Sequence, residues 1–265
     1  MSNYHLQVGE KGKHRLGILN NMLNPSTQAF IKKIGIREGM KILDFGCGTG
    51  IMSRWFSEQV GATGKVFSVD NSHEQLALTK ELCKDQKNME FHQADAYHLD
   101  QLKLDVDVDL IFVRLVLVHL TKPKEVFHNL TNFLKKGGVI ISYEPVLSHY
   151  IFYPEHKVLT QQRQVMRELF EKQGKDCDLG LKLFATFKNE NLEILDSEYY
   201  AMIGKTYDEK YQVIRSFMES KDVIIKEKIM TEEEFNKMIF DLEEVLKDET
   251  LIYIPVGHMM VAGKR

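Results

Sequence analysis

The sequence has almost no net charge. Its 265 residues carry 35 Lys and Arg against 38 Asp and Glu, a net charge of −3. No basic excess points to a nucleic-acid partner. Cysteine is scarce. Cys47, Cys83 and Cys177 are odd in number and far apart, with neither metal-ligand spacing nor a disulfide framework. A reducing, cytoplasmic location without a bound metal is expected. Long apolar runs are missing too. The longest, Leu110 to Leu120, is broken by Arg114 and His119 and is too short to span a bilayer. The first stretch, MSNYHLQVGEKGKHR, has no apolar h-region, so no secretory signal is expected. Internal repeats, low-complexity tracts and Pro/Ser linkers are absent from the sequence. Membrane protein, collagen, coiled coil and secreted mini-protein are excluded. What is present is 43% hydrophobic and 28% charged, a balance that argues against disorder. The length suits one main core plus a surplus.

From residue 40 to 145, short apolar runs alternate with helical patterns. Strands are expected at Lys41–Phe45, Lys65–Asp70, Met89–Gln93, Val108–Val113 and Val139–Tyr143. Between them, Thr49 to Val60 reads as a helix, and Ser72-His-Glu-Gln75 has capping-box form and opens another. A further helix starts at Pro123 and is expected to stop at Gly137-Gly138. This spacing implies βαβ units and a parallel sheet covered on both faces. After Pro145 the pattern changes. Pro154 to Gln173 is helical, Leu192 to Tyr200 is a strand, and residues 205–250 are mostly helical with a net charge of −5. Thr231-Glu-Glu-Glu234 forms a second capping box, and Tyr253 to Ala262 reads as a last strand.

The most informative stretch is Asp44-Phe-Gly46-Cys-Gly48-Thr-Gly50, between a strand and a helix. Closely spaced glycines let backbone approach a ligand without a Cβ in the way. Open α/β sheets bind ligands at such strand ends. The spacing is G-x-G-x-G, not the dinucleotide G-x-G-x-x-G, and no Gly-Lys-Ser/Thr follows to make a P-loop. Asp44 repels phosphate and attracts an ammonium group, so the ligand should carry an amino-acid-like cationic end. Asp70, ending the second strand, can accept hydrogen bonds from ribose hydroxyls. Asp95, flanked by Ala94 and Ala96 at the third strand end, suits an adenine amino group.

On these residues the sequence resembles the class I S-adenosylmethionine-dependent methyltransferases, strongly over residues 40–145 and more loosely in the flanks. Asp44 to Gly50 is similar to that family's first motif. The resemblance implies that Asp44, Gly46, Cys47, Gly48, Thr49 and Gly50 hold the methionine part and the ribose side of S-adenosyl-L-methionine. Asp70 matches the ribose-binding acid, with Asn71 beside it and Gln75 following on the next helix. Asp95 and Ala96 match the adenine contacts, and Arg114 and Leu115 match the segment behind the cofactor's methionine. Leu134-Lys-Lys-Gly-Gly138 resembles a Leu-Lys-Pro-Gly-Gly turn, with Lys136 in place of proline. The leader, with Tyr4 to Gly9, Arg15-Leu16 and Pro25-Ser-Thr27, resembles that of a bacterial small-molecule methyltransferase group. There it forms a helical cap over the cofactor, which places Tyr4 against it. Arg114 with His119-Leu120 is similar to the same group's Arg-x-x-x-x-His-Leu signature. Asp178-Leu-Gly180 matches a further stretch, although Leu181-Lys182-Leu183 replaces its basic pair.

The resemblance implies an α/β fold: a Rossmann-like three-layer sandwich with a seven-stranded, mostly parallel sheet, an antiparallel last strand and a helical cap. Residues 1–40 are expected to form the cap, 41–203 the cofactor-binding core, 204–250 a helical lid and 251–265 the final strand. The expected activity is methyl transfer by in-line displacement, much of it achieved by holding the partners in geometry. A base is needed only if the acceptor carries a proton. Candidates are His119, after the fourth strand, and Glu144, whose burial at the end of the fifth would be costly without a partner. His149, Tyr150 and His156 could line an acceptor pocket, and Cys47 reads as a small filler. The expected partner is a small-molecule acceptor, with neither nucleic acid nor membrane; the oligomeric state stays open. Rivals are an RNA or protein methyltransferase, a non-catalytic cofactor-binding module, and an NAD-dependent dehydrogenase, against which Asp44 speaks.

Overall fold

The computed structural model describes residues 6–104 and 107–265. A long helix, α1 (Gly9–Ile34), precedes β1 (Lys41–Phe45), α2 (Ile51–Val60), β2 (Lys65–Asp70), α3 (His73–Leu82) and β3 (Met89–Gln93). A 3-10 stretch at Ala96–Gln101 leads to β4 (Val108–Arg114), a 3-10 turn at Leu117–His119, α4 (Pro123–Thr131) and β5 (Leu134–Val146). Then come β6 (Ile151–Tyr153), α5 (Lys157–Lys172), α6 (Leu183–Asn189) and β7 (Glu193–Ala201). The chain ends with α7 (Tyr207–Glu219), α8 (Lys221–Lys226), α9 (Glu232–Leu246), β8 (Ile252–Ile254) and β9 (Gly257–Lys264).

The main sheet has seven strands in the order β3-β2-β1-β4-β5-β9-β7. β1 to β5 pair in parallel, and β9 runs antiparallel to both β5 and β7. This is the Rossmann-like arrangement expected, with its reversal of strand order beside β1. Side chains alternate between the two faces. Ile42, Val66, Leu110, Phe112 and Ile141 pack with α1 and α2 through Phe30, Met52 and Phe56. Leu43, Phe67, Ile111, Val113 and Ile140 face the other way, onto α4 and α6 through Phe127 and Phe187. Each fully buried large apolar side chain contributes about 1.5–3 kcal/mol. A third apolar cluster lies off the sheet and joins α5, α7, α8 and α9 through Leu159, Phe217, Ile224, Phe235 and Leu242. Among the described residues no helix is long and apolar enough to cross a membrane.

Several boundaries differ from the expectation. α4 ends at Thr131 rather than at Gly137-Gly138, because those glycines belong to β5. There Gly137 N donates to Arg265 O and Arg265 N donates to Gly138 O, both at 3.0 Å, so the pair completes a ladder rather than a cap. The expected last strand is two strands. Pro255 offers no N–H to continue a ladder, so β8 pairs with β6 in a small separate sheet while β9 enters the main one. The helix expected from Pro154 starts at Lys157, since Ile151–Tyr153 is taken up by β6. The capping boxes also differ. Thr231 and Glu234 exchange both bonds, whereas Ser72 accepts from Gln75 N while the Gln75 amide turns to the cavity described below.

Candidate active site

After Phe45 the chain turns through Gly46 to Gly50 into α2. Gly46 N and Cys47 N both donate to Val69 O, at 2.7 and 3.0 Å, which staples the turn to β2. Two of its glycines serve different needs. Gly46 has φ +74°, and a Cβ there would lie 2.2 Å from a Val116 methyl carbon. Gly48 has φ +57°, and a Cβ there would meet nothing within 4 Å. Packing demands the first, and the second leaves open space for a ligand. Gly50 packs against Thr79 and does not face the cavity.

Two carboxylates frame the turn. Asp70 accepts from Gly48 N and from Ser72 N, each at 2.9 Å and each on its own oxygen. Each oxygen keeps a lone pair for a ligand hydroxyl. Burial pushes its carboxyl above the usual range, against the pull of the Ser72, Gly48 and Asn71 N–H groups. Asp44 is 3% exposed and accepts from Ser53 Oγ. Burial raises its carboxyl to about 6, opposed by the Ser53 bond and the Arg114 charge. Burial, with both of these carboxylates nearby, pushes the Cys47 thiol far up. Cys47 is therefore a protonated filler, not a nucleophile.

These groups open on a cavity of about 350 Å³, a size suited to small ligands. From the strand ends it is lined by Asp44, Gly46 to Thr49, Asp70, Asn71, Gln75, Ala96, Arg114, Leu115 and His119. α1 contributes Arg15, Leu16 and Asn20, while α5, α7 and β9 contribute Gln162, Arg163, Gln212 and His258. Arg114 links the end of β4 to α1. It donates to Asn20 Oδ1 at 2.6 Å, Asn24 Oδ1 at 2.9 Å and Thr27 Oγ1 at 3.2 Å, all on α1. The beginning of α1 is tied to α7. Arg15 pairs with Glu219 at 3.0 Å, and Gln212 Nε2 donates to Arg15 O at 2.9 Å.

Several expected residues lie elsewhere. Glu144 is fully buried and its oxygens accept from the N–H groups of Val116, Leu117 and Val118 at 3.3, 3.0 and 3.1 Å. Burial raises it to about 8. It clamps the turn after β4 and does not line the cavity, so it is not placed to act as the expected base. Asp95 accepts from Tyr97 N at 2.9 Å as a helix cap, which leaves Ala94 and Ala96 to line the cavity. His149 packs edge-on to Tyr199, Tyr150 stacks on Phe152, and His156 stands at the N-cap position of α5 without a side-chain cap bond. None of the three reaches the cavity, because β6 carries this segment off to pair with β8. Tyr4 lies outside the described residues.

The sequence analysis missed Gln162, Arg163, Gln212 and His258. Polar residues inside a helical pattern or an apolar strand give no sign of which face is covered. His258 is 2% exposed, and its Nδ1 has no hydrogen-bond partner among the described residues. Burial and the Arg114 charge pull it down to about 3, so the imidazole is neutral.

Fold and crevice together define the class: a Rossmann-like open α/β protein with a roofed cavity over its strand ends. The chain belongs to the methyltransferase-domain family, whose model matches residues 36–203. It is 37% identical over 118 residues to the demethylmenaquinone methyltransferase of Lactococcus lactis, which is 43% of this chain and 45% of that one. It is 32% identical over 114 residues to the ubiquinone/menaquinone biosynthesis C-methyltransferase of Idiomarina loihiensis, 42% of this chain and 44% of that one. The matched stretch spans less than half the length of these relatives. Among solved structures, the YcgJ protein of Bacillus subtilis superposes with a TM-score of 0.61 at 17% identity, covering 91% of this chain and 98% of that chain. At that identity the likeness is one of fold.

Proposed function

We propose that the chain is an S-adenosylmethionine-dependent methyltransferase for a small-molecule acceptor. One observation carries this reading. The glycine turn, Asp44 and Asp70 open on the same cavity as the side chains of α5 and α7, so a cofactor on the strand ends would face groups from those helices. A cavity filled by bulky side chains would have favoured a non-catalytic binding module. The residues fit the cofactor on two further counts. The space beside Gly48 is open, and Gln75 Oε1 is buried without a partner among the described residues. Asp70 would take the ribose hydroxyls, Asp44 the ammonium, and Asn71, Gln75 and Ala96 the adenine side.

Bound there, S-adenosylmethionine supplies a methyl group on a sulfonium, open to in-line displacement by the acceptor. The protein's share is positioning and exclusion of water. The described part of the expected cap, residues 6–40, covers the cofactor and residues 204–250 act as the lid in this reading. His119, on the turn that Glu144 clamps, is the remaining candidate base. The relatives named above act on quinones by name, and a ring-bearing acceptor is compatible with the apolar side chains of the cavity. The acidic segment 205–250 disfavours an RNA acceptor.

Calorimetry tests this. S-adenosylhomocysteine should bind and NAD should not. Asp70→Ala should weaken that binding by about 1.5–3 kcal/mol through loss of hydrogen bonds to a charged group. Absence of heat with S-adenosylhomocysteine, or an unchanged affinity in the variant, would reject the assignment.

A further inference from the structure

The elements that follow β5 bring a set of polar groups to the cavity that the cofactor reading does not use. Arg163 on α5 is 4% exposed and lines the cavity. Its Nη2 donates to Tyr253 Oη at 3.0 Å. Among the described residues no carboxylate lies within ion-pair distance of it, although the neighbouring cavity arginine, Arg15, is paired with Glu219. A buried guanidinium without a counter-ion is costly. Beside it, Gln162 is 1% exposed, and both its amide nitrogen and its amide oxygen are buried without partners. Either orientation of that amide presents one donor and one acceptor to the cavity. Gln212 is oriented by its Nε2 bond to Arg15 O, so its unpartnered Oε1 must be an acceptor. Unsatisfied buried polar groups are rare in folded proteins and each calls for a ligand or another account.

Together these groups describe a complementary molecule. Arg114, at the end of β4, also lines the cavity without an ion pair among the described residues, held by Asn20, Asn24 and Thr27. Arg163, on α5, asks for a negative charge of its own, and its planar guanidinium fork matches a carboxylate in two parallel bonds. A fixed acceptor asks for an O–H or N–H on the same molecule. Met166, Phe170, Leu147 and Val256 line the cavity as well and suit an apolar or aromatic body. We infer that the methyl acceptor is a small carboxylic acid carrying a hydroxyl or amino group, with its carboxylate on Arg163 and its donor on Gln212 and Gln162. This rests on the methyltransferase reading for the role of the second ligand. Strand order separates the two ligands. The cofactor groups come from β1 to β3 and their turns, whereas Arg163, Gln162 and Gln212 come from helices that follow β5.

The test uses a matched pair of probes, 6-hydroxy-2-naphthoate and its neutral amide 6-hydroxy-2-naphthamide. Each is titrated by calorimetry into the full chain saturated with S-adenosylhomocysteine. The acid should bind at least about 10-fold more tightly than the amide, the lower end of a charge-assisted hydrogen bond. Arg163→Met should bring the two within about 2-fold, and Tyr253→Phe, which leaves the guanidinium in place, should keep the preference. If the methionine variant does not fold, Arg163→Lys keeps the charge without the fork and should lower the preference at least about 3-fold. Equal binding of acid and amide to the native chain, or binding of neither, overturns the inference while S-adenosylhomocysteine binding leaves the methyltransferase reading intact. Loss of S-adenosylhomocysteine affinity in a folded Arg163→Met, with the acid preference retained, would assign Arg163 to the cofactor's own carboxylate and also overturn it. Failure of S-adenosylhomocysteine to bind the native chain removes the methyltransferase reading itself.

Discussion

At the scale of single residues, two buried carboxylates, one expected to hold the cofactor and one expected to act as a base, do different work. Asp44 is buried yet faces the cavity, and burial holds it near 6. It is ionised above that pH and neutral below it, so its attraction for an ammonium is present at pH 7 and lost as pH falls through about 6. S-adenosylhomocysteine should therefore bind about 10-fold more weakly at pH 5 than at pH 7, while adenosine, which has no ammonium group, should show no such change. Parallel profiles for the two ligands would remove the role of Asp44. Glu144 is buried away from the cavity, and three backbone N–H groups converge on its oxygens. Glu144→Ala strands those donors and should cost about 2–4 kcal/mol of stability, read as a lower urea midpoint with unchanged slope. Full stability with abolished turnover would restore it as a base. The sequence showed that Glu144 would be buried, but it could not show which partners meet it. Those partners come from a turn 26 to 28 residues earlier in the chain.

At the scale of elements, α1 is held from both ends of the cavity. Arg114 grips its middle through Asn20, Asn24 and Thr27, and Glu219 grips its start through Arg15. Arg114→Leu leaves two half-buried asparagine oxygens without this donor. It should speed amide exchange across residues 16–27 and weaken S-adenosylhomocysteine binding about 10-fold without unfolding the chain. Hydrogen exchange with mass spectrometry checks it, and unchanged protection of that segment would show that the cap is held by other contacts. The strands β1, β2 and β4 were legible because both their faces are buried, which leaves near-continuous apolar runs. β6 and β8 were not. Each is three residues long, and Ile151, Tyr153 and Ile252 are more than half exposed, so neither length nor alternation marks them. Arg163 and Gln162 escaped notice for a related reason. On an amphipathic helix a polar residue is normally solvated, and nothing in α5 itself records that later helices pack against it.

At the scale of the whole molecule, the sequence located the half of the cavity that β1 to β3 build and missed the half that is assembled from distant segments. Local motifs place Asp44, Gly48 and Asp70 on consecutive strand ends, where the geometry follows from the sheet alone. The remaining lining brings together α1, α5, α7 and β9, which are more than a hundred residues apart in part. Nothing in a local window records such a meeting. The sheet order carries one more consequence, which concerns time. β9 lies between β5 and β7 and is the only described strand that joins β7 to the rest of the sheet. During synthesis β7 has no strand partner among the described strands until residues 257–264 have left the ribosome, and His258 reaches the cavity in the same step. Completion of the sheet and completion of the site are thus one event, so a polypeptide that stops before residue 257 carries the glycine turn without a closed chamber.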